Sequence, residues 1–235
     1  MSFKAFSSSH YFDATIVSMT HPLTVSIWVK KDATEWGTSG DDMAGMLSDD
    51  FLDDDEAIEM YTRTDTFRVS WKEGASAQVS STIVFADTTY DGIWVPVITK
   101  YTSAISQRAY IENTSNPGNE QTTSRDLTAL DSFRLGEYMS LNIPFEGKIA
   151  EVTLWDKSLS DAEINEINPT AQTGPAGNTI ASANCVGYWP LDTDSDTQVD
   201  ESGTANGSFV AAGTRTYDSD HPTITASGLL VRRRR

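Results

Sequence analysis

The sequence predicts an all-β sandwich with one short helix, and three observations carry that reading. Short runs such as AIEMYTR, TFRVSWK, AQVSSTIVF and AYIE, separated by clusters of Gly, Asp, Asn and Ser, repeat the strand-and-turn rhythm of two packed sheets. With 6 Trp, 9 Phe and 8 Tyr in 235 residues, and 38% hydrophobic residues, the chain can fill a sizeable core. Residues 147–164, GKIAEVTLWDKSLSDAEI, read as a glycine turn, a strand and a capped helix in immediate succession.

Taken in order, HPLTVSIWVKKD (21–32) is an early buried strand, and an Asp- and Gly-rich stretch at 34–55 follows as a long loop. GIWVPVITKY (92–101) is a further strand whose Pro96 removes a ladder donor, which predicts an edge or a bulge and a place where a neighbouring subunit could dock. In the closing strand, strict alternation sets Ile149, Glu151, Thr153 and Trp155 against Ala150, Val152 and Leu154. Ser160 with Glu163 three residues on has capping-box spacing; Ile164 and Ile167 share a face, and Asn168-Pro169 ends the helix.

These segments resemble the laminin G-like and pentraxin-like branch of the concanavalin A-like lectin/glucanase superfamily. Its closing segment commonly reads G-x-I-D-E-V-x-I-[YW]-x-x-x-L-S-x-x-E-I, matched here by Gly147, Ile149, Glu151, Val152, Leu154, Trp155, Leu159, Ser160, Glu163 and Ile164, with Ala150 departing from it. Residues 21–32 and 92–101 are similar to two further family strands, and VGYWPLD (186–192) to its opening motif. Here YWPLD and DESGTANGSFV (200–210) follow the helix instead of preceding the other strands. The resemblance therefore implies a concanavalin A-like jelly roll, one domain over 1–228 with strands at 184–226 in permuted position, and a basic tail at 229–235.

The net charge of −17 sets this chain against nucleic acid and anionic lipid surfaces as partners, while basic partners and divalent cations remain open. Cys185, the one cysteine, cannot form an internal disulfide and reads as a small buried thiol. The N-terminal stretch has no apolar signal-peptide core, and no run is long enough to insert in a bilayer. A recognition fold of this kind, made in the cytoplasm without disulfides, fits a virion component, of phage type, partnered by other virion proteins or by copies of itself.

Catalysis is not expected. The superfamily's glucanases carry E-x-D-x-x-E or E-x-D-x-E, and the nearest approach here, Asp55-x-Ala57-x-Glu59, lacks the middle carboxylate that a shared-bond mechanism needs. His10, His21 and His221 stand apart beside loops or prolines and read as surface or turn residues. If calcium is held at the sandwich rim, as in many such domains, Asp192, Asp194, Asp196 and Asp200 are its candidate ligands, with 49–56 as a second location; a solvated acidic loop is the competing reading. Thr197 and Gly203 stand where an EF-hand requires Gly and Glu, so the run is not one. A sugar needs an exposed ring beside hydrogen-bonding groups, which singles out Trp36, Tyr90, Tyr101 and Tyr138 in loop-like stretches, against simple edge packing. The tail GLLVRRRR, with Arg232, Arg233, Arg234 and Arg235, reads either as an assembly contact on an acidic neighbour or as a frayed end. The sequence thus points to a non-catalytic binding or structural module of a virion surface; the alternative is a free-standing lectin binding host glycans, calcium-dependent if the rim holds the ion.

Overall fold

The structure, a computed structural model, describes residues 2–4, 11–31, 42–50, 55–63, 65–74, 77–85, 89–137, 144–168, 173–204, 207–212 and 216–225. Strands β1 (Ser2–Lys4), β2 (Tyr11–Met19), β3 (Leu23–Lys30), β4 (Asp42–Ser48), β5 (Glu56–Arg63) and β6 (Thr66–Glu73) come first. They are followed by β7 (Ala77–Val84), β8 (Val95–Ser103), β9 (Ser106–Ile111), β10 (Leu130–Leu135), β11 (Lys148–Trp155) and the helix α1 (Asp161–Ile167). Then come β12 (Thr173–Pro175), β13 (Cys185–Trp189), β14 (Thr197–Gln198), β15 (Phe209–Ala212), β16 (Thr216–Asp218) and β17 (Thr223–Thr225).

Two antiparallel sheets face each other in a jelly-roll sandwich. The seven-stranded sheet has the order β16-β1-β11-β3-β8-β9, with β13 also paired to β11, and the eight-stranded sheet runs β14-β15-β2-β10-β4-β5-β6-β7. Strands that follow the helix therefore join both sheets. Alternate residues of each strand point inward, so Val25, Ile27, Val29 and Val97 meet Ile58, Met60, Val69, Trp71, Phe133 and Leu135 in one core. Trp189 closes it against Phe209 and Phe133, at centroid distances of 4.7 and 6.1 Å.

The outward side of the seven-stranded sheet is apolar as well. Trp28, Ile98, Tyr110, Ala150, Trp155 and Tyr188 form a second cluster, roofed by Leu159, Ile164, Ile167 and Ile180. The helix is amphipathic because this layer needs Ile164 and Ile167 on one face. Its N-terminus is held by a complete capping box: the Glu163 N–H donates to Ser160 Oγ at 3.3 Å, and the Ser160 N–H donates to Glu163 Oε2 at 2.8 Å. Hydrogen bonds from Lys157 and from the Ser160 backbone push the Glu163 carboxyl down to about 2. Ser160→Ala is expected to lower stability by about 1 kcal/mol in urea unfolding, with Ser160→Thr retaining most of it; equal midpoints for the alanine variant and wild type would refute this role.

Two local expectations change. Strict alternation fails in β11, where the register against β3 shifts between Ala150 and Thr153 and Glu151 adopts φ of 50°. This bulge lies where β11 changes partners on its other side, from β1 at Ile149 to β13 at Val152. Ile149, Val152 and Leu154 consequently all belong to the inner core, while Ala150 and Trp155 belong to the outer cluster. Pro96 is not on an edge strand, because β8 pairs with both β3 and β9. Its carbonyl accepts from Glu112 N–H at 2.9 Å, just past the last β8–β9 pair next to it, Val97–Ile111, so its missing donor would have faced the end of β9. No docking edge follows from Pro96. Gly147 precedes β11 where an added Cβ would meet the Lys30 carbonyl at 2.7 Å, which accounts for glycine in that turn.

Candidate functional site

Of the four aromatic rings singled out for sugar binding, Trp36 and Tyr138 lie outside the described residues, as do Arg232, Arg233, Arg234 and Arg235. Tyr101 lies in β8, not in a loop, and is 0% exposed; its hydroxyl donates to the Arg125 carbonyl and accepts from the Leu127 N–H at 3.0 Å. Tyr90 sits in a turn yet is 5% exposed, edge-on to Phe85 at 5.0 Å. Burial pushes both hydroxyls up to about 12. Neither ring offers a face to a ligand: the polar residues after Tyr101 resemble a loop, but its inward parity commits it to the core.

The acidic run at 192–200 is organised by its own chain. Asp200 Oδ1 accepts from the Tyr188 and Ser202 N–H groups at 2.9 and 2.8 Å, and Oδ2 accepts from Thr204 Oγ1 at 2.8 Å. The buried Gln198 amide donates to the Thr193 and Ser195 carbonyls at 3.1 and 2.7 Å. Among the described residues no three His, Cys, Asp or Glu side chains converge as metal ligands, so Asp192, Asp194, Asp196 and Asp200 are not brought together as a set. At the second location, Asp49 and Glu56 accept backbone N–H groups from Glu56 and Thr128, and residues 51–54 lie outside the described residues.

The outward side of the eight-stranded sheet carries a straight row in register across six strands: Asp13, Arg134, Met46, Glu59, Ser70 and Ser80. Arg134 makes a bidentate pair with Asp13 at 2.7 Å and stacks over Tyr11 at 3.9 Å. Glu59, 3% exposed, accepts from Gln78 Nε2 at 2.9 Å. Asp13 and Glu59 are three strand spacings apart, roughly 14 Å. That exceeds the roughly 5–9.5 Å between the two carboxyls of either glycosidase mechanism.

His221 is not a surface residue. Its ring is held between Pro190 O, 3.1 Å from Nε2, and Pro222 O, 2.9 Å from Nδ1, with Glu151 Oε1 3.2 Å from Nε2. Burial lowers its pKa, while the two carbonyls act in the opposite direction. Tyr188 donates to the other Glu151 oxygen at 2.6 Å, and burial followed by that carboxylate drives the phenol far above its ordinary range. The cluster is buried beneath the C-terminal segment, a position that fits bracing rather than contact with a ligand.

Among the described residues, two surface cavities are formed by side chains of the sandwich. One, about 280 Å³, lies at the rim and is lined by Val17, Met19, Thr20, Pro22, Asp156 and Val186 among others. The other, about 250 Å³, is a polar groove on the outward side of β8 and β9 beside the start of α1. Lys100 and Arg108 are cross-strand partners there, with Thr102, Ser106, Tyr110, Glu120 and Asp161 around them. Lys100 Nζ is 4.0 Å from Asp161, and Arg108 Nη2 is 3.9 Å from Glu120. Both distances are too long for hydrogen bonds.

Two facing antiparallel sheets with a short helix laid on one of them define a lectin-type β-sandwich. The Laminin_G_3 family model, described as concanavalin A-like lectin/glucanases superfamily, matches residues 6–165, and the chain belongs to that superfamily. Among curated proteins, none matches the sequence. Among solved structures, the heptameric SAP-like pentraxin from Limulus polyphemus is similar at TM-score 0.55 and 16% identity, over 88% of this chain and 93% of that one. Mouse laminin alpha1 domains LG4-5 give TM-score 0.50 and 16% identity, over 69% of this chain and 43% of that one. The botulinum neurotoxin serotype D ligand-binding domain, in complex with N-acetylneuraminic acid, gives 0.50 and 15% over 67% and 40%. The chain thus spans less than half of the laminin and neurotoxin chains and nearly all of the pentraxin. These likenesses establish the shared fold.

Proposed function

We propose that this chain is a non-catalytic binding module of lectin type that holds a glycan. The observation that carries the reading is the registered row on the eight-stranded sheet, in which Glu59 is tied to Gln78 and, three strands away, Asp13 is bound to its neighbour Arg134. The two carboxylates of this row are therefore too far apart to share one glycosidic bond. The neurotoxin domain solved with N-acetylneuraminic acid shares this fold over 40% of its own length, and the parallel to glycan binding is our proposal. The setting we propose is the surface of a virion, with other virion proteins or further copies as neighbours, because the acidic, disulfide-free body suits assembly in a cytoplasm.

A panel of immobilised glycans is expected to show saturable binding by the purified chain, and incubation with β-glucan is expected to release no reducing ends. Release that vanishes in Glu59→Gln would overturn the non-catalytic reading. An absence of binding across the panel would overturn the lectin reading and return attention to an assembly role.

A further inference from the structure

We propose that the groove between β8, β9 and the start of α1 is the sugar site, and that it takes one uncharged pyranose ring; this rests on the glycan-binding reading above. The site lies on the outward side of the seven-stranded sheet, the same side that elsewhere carries the second apolar cluster. Here the cover stops and the sheet face turns polar: Lys100 and Thr102 on β8 and Ser106, Arg108 and Tyr110 on β9 project together at two-residue spacing.

The groups in the groove have hydrogen-bonding capacity to spare. Arg108 Nε is buried and makes no hydrogen bond, although buried donors normally find a partner. Each cation faces a carboxylate across about 4 Å, Lys100 to Asp161 and Arg108 to Glu120. A hydroxyl seated in such a gap accepts from the cation and donates to the carboxylate, and a pyranose offers neighbouring hydroxyls to do this twice. Ser106 Oγ, bonded to Glu120 Oε1 at 2.9 Å, keeps that carboxylate oriented toward the groove.

Charge decides the ligand class. Two cations and two carboxylates leave the groove neutral, whereas the chain as a whole carries −17. An anionic sugar gains nothing from cations already countered and meets the repulsion of the acidic body. A cationic ligand is opposed by Lys100 and Arg108 on the adjoining strands. An apolar ligand would strip water from all seven lining side chains without replacing their hydrogen bonds. A neutral polyol satisfies them. The volume of about 250 Å³ is just under the roughly 300–1,000 Å³ of drug-sized pockets, which suits one ring at a chain end.

The test is a backbone amide shift titration of the labelled chain with methyl glycosides of glucose, galactose, mannose and N-acetylglucosamine, and with glucuronate, repeated for Arg108→Gln and Lys100→Gln. At least one neutral glycoside is expected to shift amides in 100–110, 120 and 161, with affinity falling about tenfold in Arg108→Gln while amides elsewhere keep their positions. Should Arg108→Gln not fold, Glu120→Gln is expected to weaken binding similarly. Shifts confined to the Val17–Pro22 rim, or unchanged affinity in the variants, would overturn the groove and leave glycan binding standing. Tighter binding of glucuronate than of every neutral glycoside would overturn the ligand class. Failure of these probes together with an empty glycan panel would overturn both readings.

Discussion

Replacing Lys31 by alanine is expected to lower stability by about 3–5 kcal/mol, the range for breaking a buried ion pair by removing one partner. Lys31 is 1% exposed, just beyond β3 in the seven-stranded sheet. Its ammonium donates to the Asp42 carboxylate and, at 3.1 Å, to Thr62 Oγ1, both in the facing sheet, with the Phe145 ring 5.4 Å away. The pair therefore ties the two sheets together at one end of the sandwich. Alanine takes the Lys31 ammonium away from the buried Asp42 carboxylate, and also removes the aliphatic stem that fills the space beside Phe145. For a chain of this size the melting temperature should fall on the order of 10 °C. Lys31→Met separates the two contributions, because it retains most of the stem and loses only the charge. Urea unfolding should place Lys31→Met nearly as low as Lys31→Ala, and the combined Lys31→Met and Asp42→Leu change should recover much of the loss, since an apolar pair has no buried charge to compensate. A loss below about 1 kcal/mol for Lys31→Ala would refute the argument, that being the range of an exposed pair.

Lys31 also shows where sequence reasoning stops. The family segment at 147–164 was legible because its signals are local: Gly147 as a turn residue, apolar spacing in β11, and Ser160 with Glu163 within one helical turn. The bulge at Glu151 was not legible, because it arises from a change of strand partner outside the segment. For the same reason Tyr101 looked like a loop residue and Pro96 like an edge residue: burial and sheet position depend on β3, β9 and residues 125–127. His221 looked isolated in sequence, yet Pro190 and Glu151, 31 and 70 positions away, contact it in the fold. The candidate groove was invisible as well. Lys100, Glu120 and Asp161 share no motif, and only the β8–β9 pairing and the place of the helix bring them together.

Replacing Asp220 by alanine is expected to cost about 2–3 kcal/mol and to remove part of the acid sensitivity of the fold. The C-terminal segment pairs with β1 through β16 and with β12 through β17, but these strands are three residues long and need side-chain support. Asp220 supplies it by accepting from Lys30 and Lys148, each at 2.8 Å, and from Trp94 Nε1 at 3.0 Å, three residues of the seven-stranded sheet and its margin. Asp218 adds a second bond to Lys148 at 3.0 Å. Burial alone would raise the Asp220 carboxyl, but the Lys148, Lys30 and Trp94 hydrogen bonds overcome it and hold the group well below the usual carboxylate range. The Asp220 backbone N–H and Lys148 likewise hold Asp218 below its ordinary value. Because both are depressed in the folded state, their contribution is complete above the unfolded value of about 4 and is lost as pH falls through the folded values. His221, also lowered by burial, begins to lose its own contribution near the unfolded value of about 6.5 in both proteins, so the difference between wild type and Asp220→Ala from about pH 4.5 to pH 2.5 reports the Asp220 carboxylate. Over that interval, chemical unfolding should show wild type losing more stability than Asp220→Ala, with the two curves converging at the acid end. Parallel curves would mean that the segment is held by its short strands and His221 alone. Convergence would identify the Lys30, Lys148 and Trp94 node as the clasp that keeps His221 over Glu151 and thereby closes the outer layer of the sandwich.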